Sequence, residues 1–321
     1  MRSMSLCNAD DAGARAYAAA ALAAVADPGE PTEPLAPHPA LRLPRGDFGV
    51  AVELRALREG EASGTRFRGE PNAKAAEPSD PNNAVEMYWQ LGRSGDDDDA
   101  VDAGWPSAAK RDAAATLLGR LAQASAFNRL RTVEQLGYIA SAGLDSSGGV
   151  IGFTCLLQSA TGKSPPELED RVEAWLAVFA QELRDLSDAD LALKREGLAT
   201  EILQRPASLR DVVSRDWHEI SSGRRKFSHV ATRAAQLRDV SREDLIRVLE
   251  AHVLPGAPQR RLFRSRVYSP DLAADAPADA APAGGVVLRS LDELRAFKRG
   301  RDLWPPAKVW DEGAGPEAPA H

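Results

Sequence analysis

The side chains best suited to grip or polarise an oxygen lie close together, in Phe127-Asn128-Arg129-Leu130-Arg131-Thr132-Val133-Glu134-Gln135-Leu136-Gly137-Tyr138. Arg131 offers a permanently charged fork of N–H donors, and Tyr138 a phenol that both donates and accepts. Thr132 followed by Gln135 has capping-box spacing, which predicts a short capped turn and a fresh helical start after Arg131. Gly137 then gives the backbone latitude to leave that turn for a strand. Such a corner aims the guanidinium and the phenol from two sides. A bland reading stands beside it: Arg131 pairs with a carboxylate, and Tyr138 packs with its hydroxyl at the surface.

Other chemistry-bearing patterns are weaker. His218-Glu219 opens like the metal-binding H-E-x-x-H, but Ser222 stands where the second histidine belongs, so His218 beside Trp217 reads as a partly buried helix residue. Gly162-Lys163-Ser164 resembles the end of a phosphate loop, yet Leu157 replaces the required glycine. Gly148-Gly149-Val150-Ile151-Gly152 is a turn leading into a strand, not a dinucleotide fingerprint. The Asp96–Asp99 run lacks the spaced oxygens and closing glutamate of a calcium loop and reads as a solvated turn. Arg224-Arg225-Lys226 and Arg260-Arg261 are anion contacts or, more ordinarily, solvated faces. No Ser-His-Asp or Cys-His arrangement stands out.

The elements that must position Arg131 and Tyr138 follow from periodicity. Phe48, Val50, Val52 and Leu54 alternate at strand period, as do Val85, Met87, Trp89 and Leu91. Residues 59–82 between them are polar and read as a hairpin or mobile loop. Pro106 opens a helix whose buried stripe is Ala114, Leu117, Leu118 and Leu121. After the corner come strands 137–144 and 150–158. Ser164-Pro-Pro-Glu167 starts a helix with the stripe Leu168, Val172, Trp175, Leu176, Phe179 and Leu183. Ser187 with Asp190, Ser208 with Asp211, and Ser241 with Asp244 start three more. Residues 261–268 form a last, weakly alternating strand. The order predicts an α+β fold, an antiparallel sheet with helices packed on one face.

The twelve-residue corner resembles the C-terminal-half signature of pitrilysin-type zinc metallopeptidases, the insulin-degrading enzyme and nardilysin group, departing from it at Arg129 and Val133. Asn83-x-x-Glu86-x-Tyr88-Trp89-Gln90 is similar to the strand preceding that signature, and Phe297-Lys298 with Trp304-Pro305 to the family's C-terminal tail. The resemblance implies that family's repeated α+β domain. It implies four segments: the end of a preceding domain over 1–36, the domain proper over 37–271, an Ala/Pro/Gly linker over 272–285 and a docking tail over 286–321. It also implies that Arg131 and Tyr138 contact peptide substrate near the scissile bond, with Phe127, Leu130, Leu136 and Gly137 structural.

The family's zinc motif, H-x-x-E-H, begins at none of the five histidines, His38, His218, His229, His252 and His321. The resemblance therefore implies no catalytic or metal residue here and no activity alone. Zinc is expected in a complementary N-terminal half or catalytic subunit, which with peptide is the expected partner. The alternative is a non-catalytic partner subunit or scaffold of a related processing peptidase.

Totals agree with a globular chain. At 321 residues, with 43% hydrophobic and 27% charged residues, a sizeable core is available. A net charge of -7 argues against a nucleic-acid surface, and no apolar run reaches the length of a membrane span. Cys7 and Cys155 lie far apart, which points to a reducing, cytoplasmic setting. Ala24-Val25-Ala26 resembles a cleavage site, but Asp10 and Asp11 precede it where positive charge is wanted, so 8–26 reads as a helix.

Overall fold

Alternating apolar residues build the sheet, as periodicity requires. The structure, a computed structural model, describes residues 40–56, 65–67, 81–95, 104–221, 229–269, 272 and 285–304. The expected helix at 8–26, the Asp96–Asp99 turn, the Arg224-Arg225-Lys226 patch and most of the 272–285 linker lie outside them.

The strands are β1 (Gly46–Ala56), β2 (Thr65–Phe67), β3 (Asn83–Arg93), β4 (Ile139–Ser147), β5 (Val150–Ser159), β6 (Arg261–Tyr268) and β7 (Val286–Leu288). They form one seven-stranded sheet in the order β2-β1-β6-β3-β5-β4, with β7 also paired to β1. The α+β architecture is as expected, but the sheet is mixed. β1 runs parallel to β6 and to β7, while the other pairs are antiparallel. Within 59–82 the described residues are 65–67, which form β2, hairpin-paired to β1, and 81–82, which lead into β3.

The helices are α1 (Ala108–Ala126), α2 (Pro165–Asp185), α3 (Asp188–Leu203), α4 (Leu209–Ser221), α5 (His229–Arg238), α6 (Arg242–Val248) and α7 (Leu291–Arg299). The main core lies on one face of the sheet, beneath α1 and α2. The core joins Val85, Met87 and Trp89 of β3, Phe153, Cys155 and Leu157 of β5, and Leu117 and Leu118 of α1 to the predicted stripe of α2. Each serine-headed start is capped as the spacing predicts: Ser187, Ser208 and Ser241 accept from the backbone N–H three residues on, and Ser164 and Glu167 form a capping box. Those bonds satisfy donors that a helix start otherwise leaves open.

β6 alternates weakly because its inward positions are charged. Arg264 and Arg266 sit beside Met87 and Val85 in the sheet and are buried. Arg266 grips Glu169 of α2 through two bonds, of 2.6 and 2.8 Å. Glu53 of β1, fully buried, lies 3.7 Å from Arg266 and 3.0 Å from Arg289. Arg260 pairs with Glu173, whose carboxyl is held above its usual range by burial despite that guanidinium. Arg260 and Arg261 are thus buried, which corrects the solvated-face reading.

The tail crosses to the other face. Leu294 and Phe297 of α7 pack with Val50, Val52 and Leu288. Leu303 bridges to Leu41, and Trp304 is buried with its indole N–H donated to the Gln90 side chain at 3.3 Å.

Candidate substrate-contact site

The expected helical restart at Thr132 does not form. α1 continues without a break into a π-helical segment, Phe127–Val133, so Thr132 lies inside a helix whose wider turns bond each N–H five residues back. A capping residue needs extended backbone, and residues on both sides of Thr132 remain helical. The chain turns instead at Gln135, whose φ of 52° is the one left-handed value at a non-glycine among the described residues. The closing bonds run from Glu134 N–H to Arg129 O and from Leu136 N–H to Leu130 O, both 3.0 Å.

Gly137 serves a purpose other than conformational latitude. A Cβ there would stand 1.7 Å from the Gln158 carbonyl oxygen, so the residue allows the chain to press against β5. Leu130 and Leu136 are buried beneath the turn and anchor it. Glu134 is clamped from two sides, by Arg129 Nε and by Arg171 Nε of α2, each at 2.7 Å. Arg129, one of the two positions that depart from the family signature, is part of this clamp.

Arg131 therefore projects from a turn fixed by buried leucines and an ion-pair clamp. Its guanidinium lies over the Phe127 ring at 4.6 Å and over the Tyr138 ring at 4.8 Å. A guanidinium over an aromatic face is attracted by the ring's negative quadrupole while its N–H edge stays available to donate. Tyr138 is 82% exposed, so its ring is no packing residue; it stands clear at the start of β4, an edge strand. The structure thus brings Arg131 and Tyr138 together and adds Phe127, 45% exposed, which sequence reading had left as structural. Its signal was the four-residue spacing to Arg131, which places the two on one helical face. Phe127, Arg131 and Tyr138 form an exposed ledge able to donate hydrogen bonds from two groups to one extended backbone, with apolar surface alongside.

Among the described residues no group of three or more histidine, cysteine, aspartate or glutamate side chains could hold an ion. His252 is buried, and its imidazole pKa is pushed down to about 3, by burial first and then by Arg111, Arg261 and Arg45. Guanidinium groups around that imidazole repel a cation, so His252 itself is poorly suited to ligate zinc.

Known proteins resemble this chain in sequence and in fold. Residues 117–217 match the family described as PQQ synthase PqqF-like, C-terminal lobe domain 4. That span contains α1's second half, the ledge, β4, β5, α2, α3 and most of α4. The crystal structure of pitrilysin shares the fold with a TM-score of 0.67 at 21% identity, covering 93% of this chain and 27% of that one. The chain is thus similar to a C-terminal part of pitrilysin-type metallopeptidases.

Individual relatives show the same likeness. The peroxisomal insulin-degrading enzyme-like 1 of Arabidopsis thaliana is 27% identical over 70% of this chain, and the insulin-degrading enzyme of Homo sapiens 29% identical over 57%. The chain spans 22% and 19% of those two proteins.

Proposed function

We propose that this chain is the non-zinc C-terminal wall of an insulin-degrading-enzyme-like metalloendopeptidase. It binds peptide and completes a zinc site supplied by an N-terminal half. The observation that carries the reading is the ledge itself: a guanidinium held between two rings on a distorted helix end, beside an exposed phenol. Arg131 donates to a backbone carbonyl of the bound peptide. Tyr138 donates its O–H to the oxygen on which negative charge develops, where a fixed donor is most effective. The fourfold division of the chain, with 286–321 as a docking tail, belongs to this proposal. So does a reducing, cytoplasmic compartment, supported by Cys155 as a buried free thiol. Among the described residues no helix is long and apolar enough to cross a membrane.

The test uses purified chain with and without a separately made N-terminal half, assayed for zinc content, peptide binding and hydrolysis. The chain alone is expected to hold no zinc and turn over nothing. Adding the half brings activity. Arg131→Ala then lowers kcat/KM by about 100-fold, and Tyr138→Phe acts mainly on kcat. Chelator-sensitive cleavage by the chain alone would sink the proposal. Peptide binding without rescued turnover favours the non-catalytic subunit instead.

A further inference from the structure

We propose that Arg171 is a positioning residue for Arg131. Together with Arg129 it holds the Glu134 carboxylate, which would otherwise pair with Arg131 and draw that guanidinium off the Phe127 and Tyr138 rings. The consequence for turnover rests on the peptide reading above; the diversion of Glu134 stands on the geometry alone.

Glu134 is the one carboxylate between Phe127 and Tyr138. In an α-helix the neighbours on a residue's own face lie three and four positions back, which for Glu134 are Arg131 and Leu130. An arginine and a glutamate at that spacing ordinarily attract. The π-helical segment changes the match, because its bonds run five back. Glu134 N–H meets the Arg129 carbonyl at 3.0 Å, and Arg129 Nε donates to Glu134 Oε1 at 2.7 Å. Glu134 Oε2 accepts from Arg171 Nε at 2.7 Å and from its Nη2. Both carboxylate oxygens are thus occupied, and Arg131 rests on the two rings with no ion pair among the described residues.

Arg171 matters more than Arg129. The Glu134 side chain is only 8% exposed, so water is a poor substitute for a lost partner and the carboxylate takes the next guanidinium within reach. Arg129 leaves from the same short segment as Arg131 and moves with it, whereas Arg171 pulls from outside that segment, from α2. Two residues to either side of Arg171, α2 is itself tied down: Glu169 grips Arg266, and Glu173 pairs with Arg260. The pull on Glu134 is therefore anchored at β6, between β1 and β3.

The experiment reads the Arg131 Nε–H resonance in the isotopically labelled full chain, identified by its disappearance in Arg131→Lys. Protons held over ring faces are shifted upfield, so the wild-type signal is expected upfield of ordinary exposed arginines. Arg171→Ala should move it downfield. Adding Glu134→Gln should return it, since a neutral amide draws a guanidinium far less, and Arg171→Lys, which keeps a cation on Glu134, should leave it in place. A clamp that merely braces the turn gives the opposite order, with the double variant displaced further than the single. That order overturns the proposal, as does an unmoved signal in Arg171→Ala. If Arg171→Ala does not fold, Arg171→Gln with and without Glu134→Gln carries the same comparison. With the N-terminal half added, kcat/KM should fall about fivefold in Arg171→Ala and recover in the double variant. A signal that moves and returns as expected while turnover stays level upholds the diversion of Glu134 and removes the peptide reading instead.

Discussion

On the proposed reading, Arg131 serves through a charge that the nearby carboxylate does not claim. The neighbouring carboxylate, Glu134, is claimed by Arg129 and Arg171, and Arg131 is left against two rings. A lysine keeps the charge but loses the planar stack and the fork of donors. Arg131→Lys in the reconstituted enzyme should therefore recover only a minor part of the activity lost in Arg131→Ala, measured as kcat/KM on one peptide. Sequence showed the arginine and the tyrosine but not what joins them, because ring-to-guanidinium contact depends on a turn whose geometry the residue types did not reveal. His252 carries a prediction of a different kind. Its folded pKa is depressed to about 3 by burial and nearby arginines, so the unfolded chain binds the proton more readily. The stability this contributes is fully present above the unfolded value of about 6.5 and is lost as pH falls toward the folded value. Urea unfolding from pH 6.5 down to 5 should lose up to about 1.4 kcal/mol per pH unit from this group. His252→Gln should flatten that slope; an unchanged slope would place the proton uptake elsewhere.

Helix starts were legible because a cap is a local bargain between one hydroxyl and one backbone N–H. Ser164, Ser187, Ser208 and Ser241 all honour it. Thr132 has the same spacing and fails, since α1 is still held by Leu130 in the core when the chain reaches it. Tertiary burial there outweighs a local signal, and the surplus length is absorbed as π-turns and a left-handed Gln135. The junction then depends on Gly137. Any side chain there collides with the Gln158 carbonyl, a backbone atom that moves only with β5. Gly137→Ala should cost about 2–3 kcal/mol or more in chemical denaturation, as overpacked sites do, and should loosen amide protection along β4 before β3. A variant of wild-type stability would mean the turn can shift at little cost. Ser241→Ala tests the ordinary case: losing its bond to Asp244 N–H should cost about 1 kcal/mol.

At the scale of the molecule, strand alternation revealed the layers but not the order in which strands lie. β6 looked irregular because Arg264 and Arg266 occupy core-facing positions, legible only once Glu169 and Glu173 of α2 are seen opposite. The same strand sits between β1 and β3, so the C-terminal third of the domain completes the middle of the sheet rather than its edge. The tail continues that logic on the far face. β7 pairs with β1, α7 covers Val50 and Val52, and Trp304 fills a site where its backbone N–H donates to Ala40 O at 2.8 Å. Arg42 N–H donates to Asp302 O at 2.9 Å, so the segment entering the domain and the segment leaving it are tied together. If the tail is part of one cooperative unit, Trp304→Ala should lower stability by about 3–5 kcal/mol in a single unfolding transition. It should do so equally when read by signals from β4 and β5, at the other side of the sheet. A separate early transition confined to the tail, with β4 and β5 unfolding at the wild-type midpoint, would instead make residues 286–304 an independently docking segment.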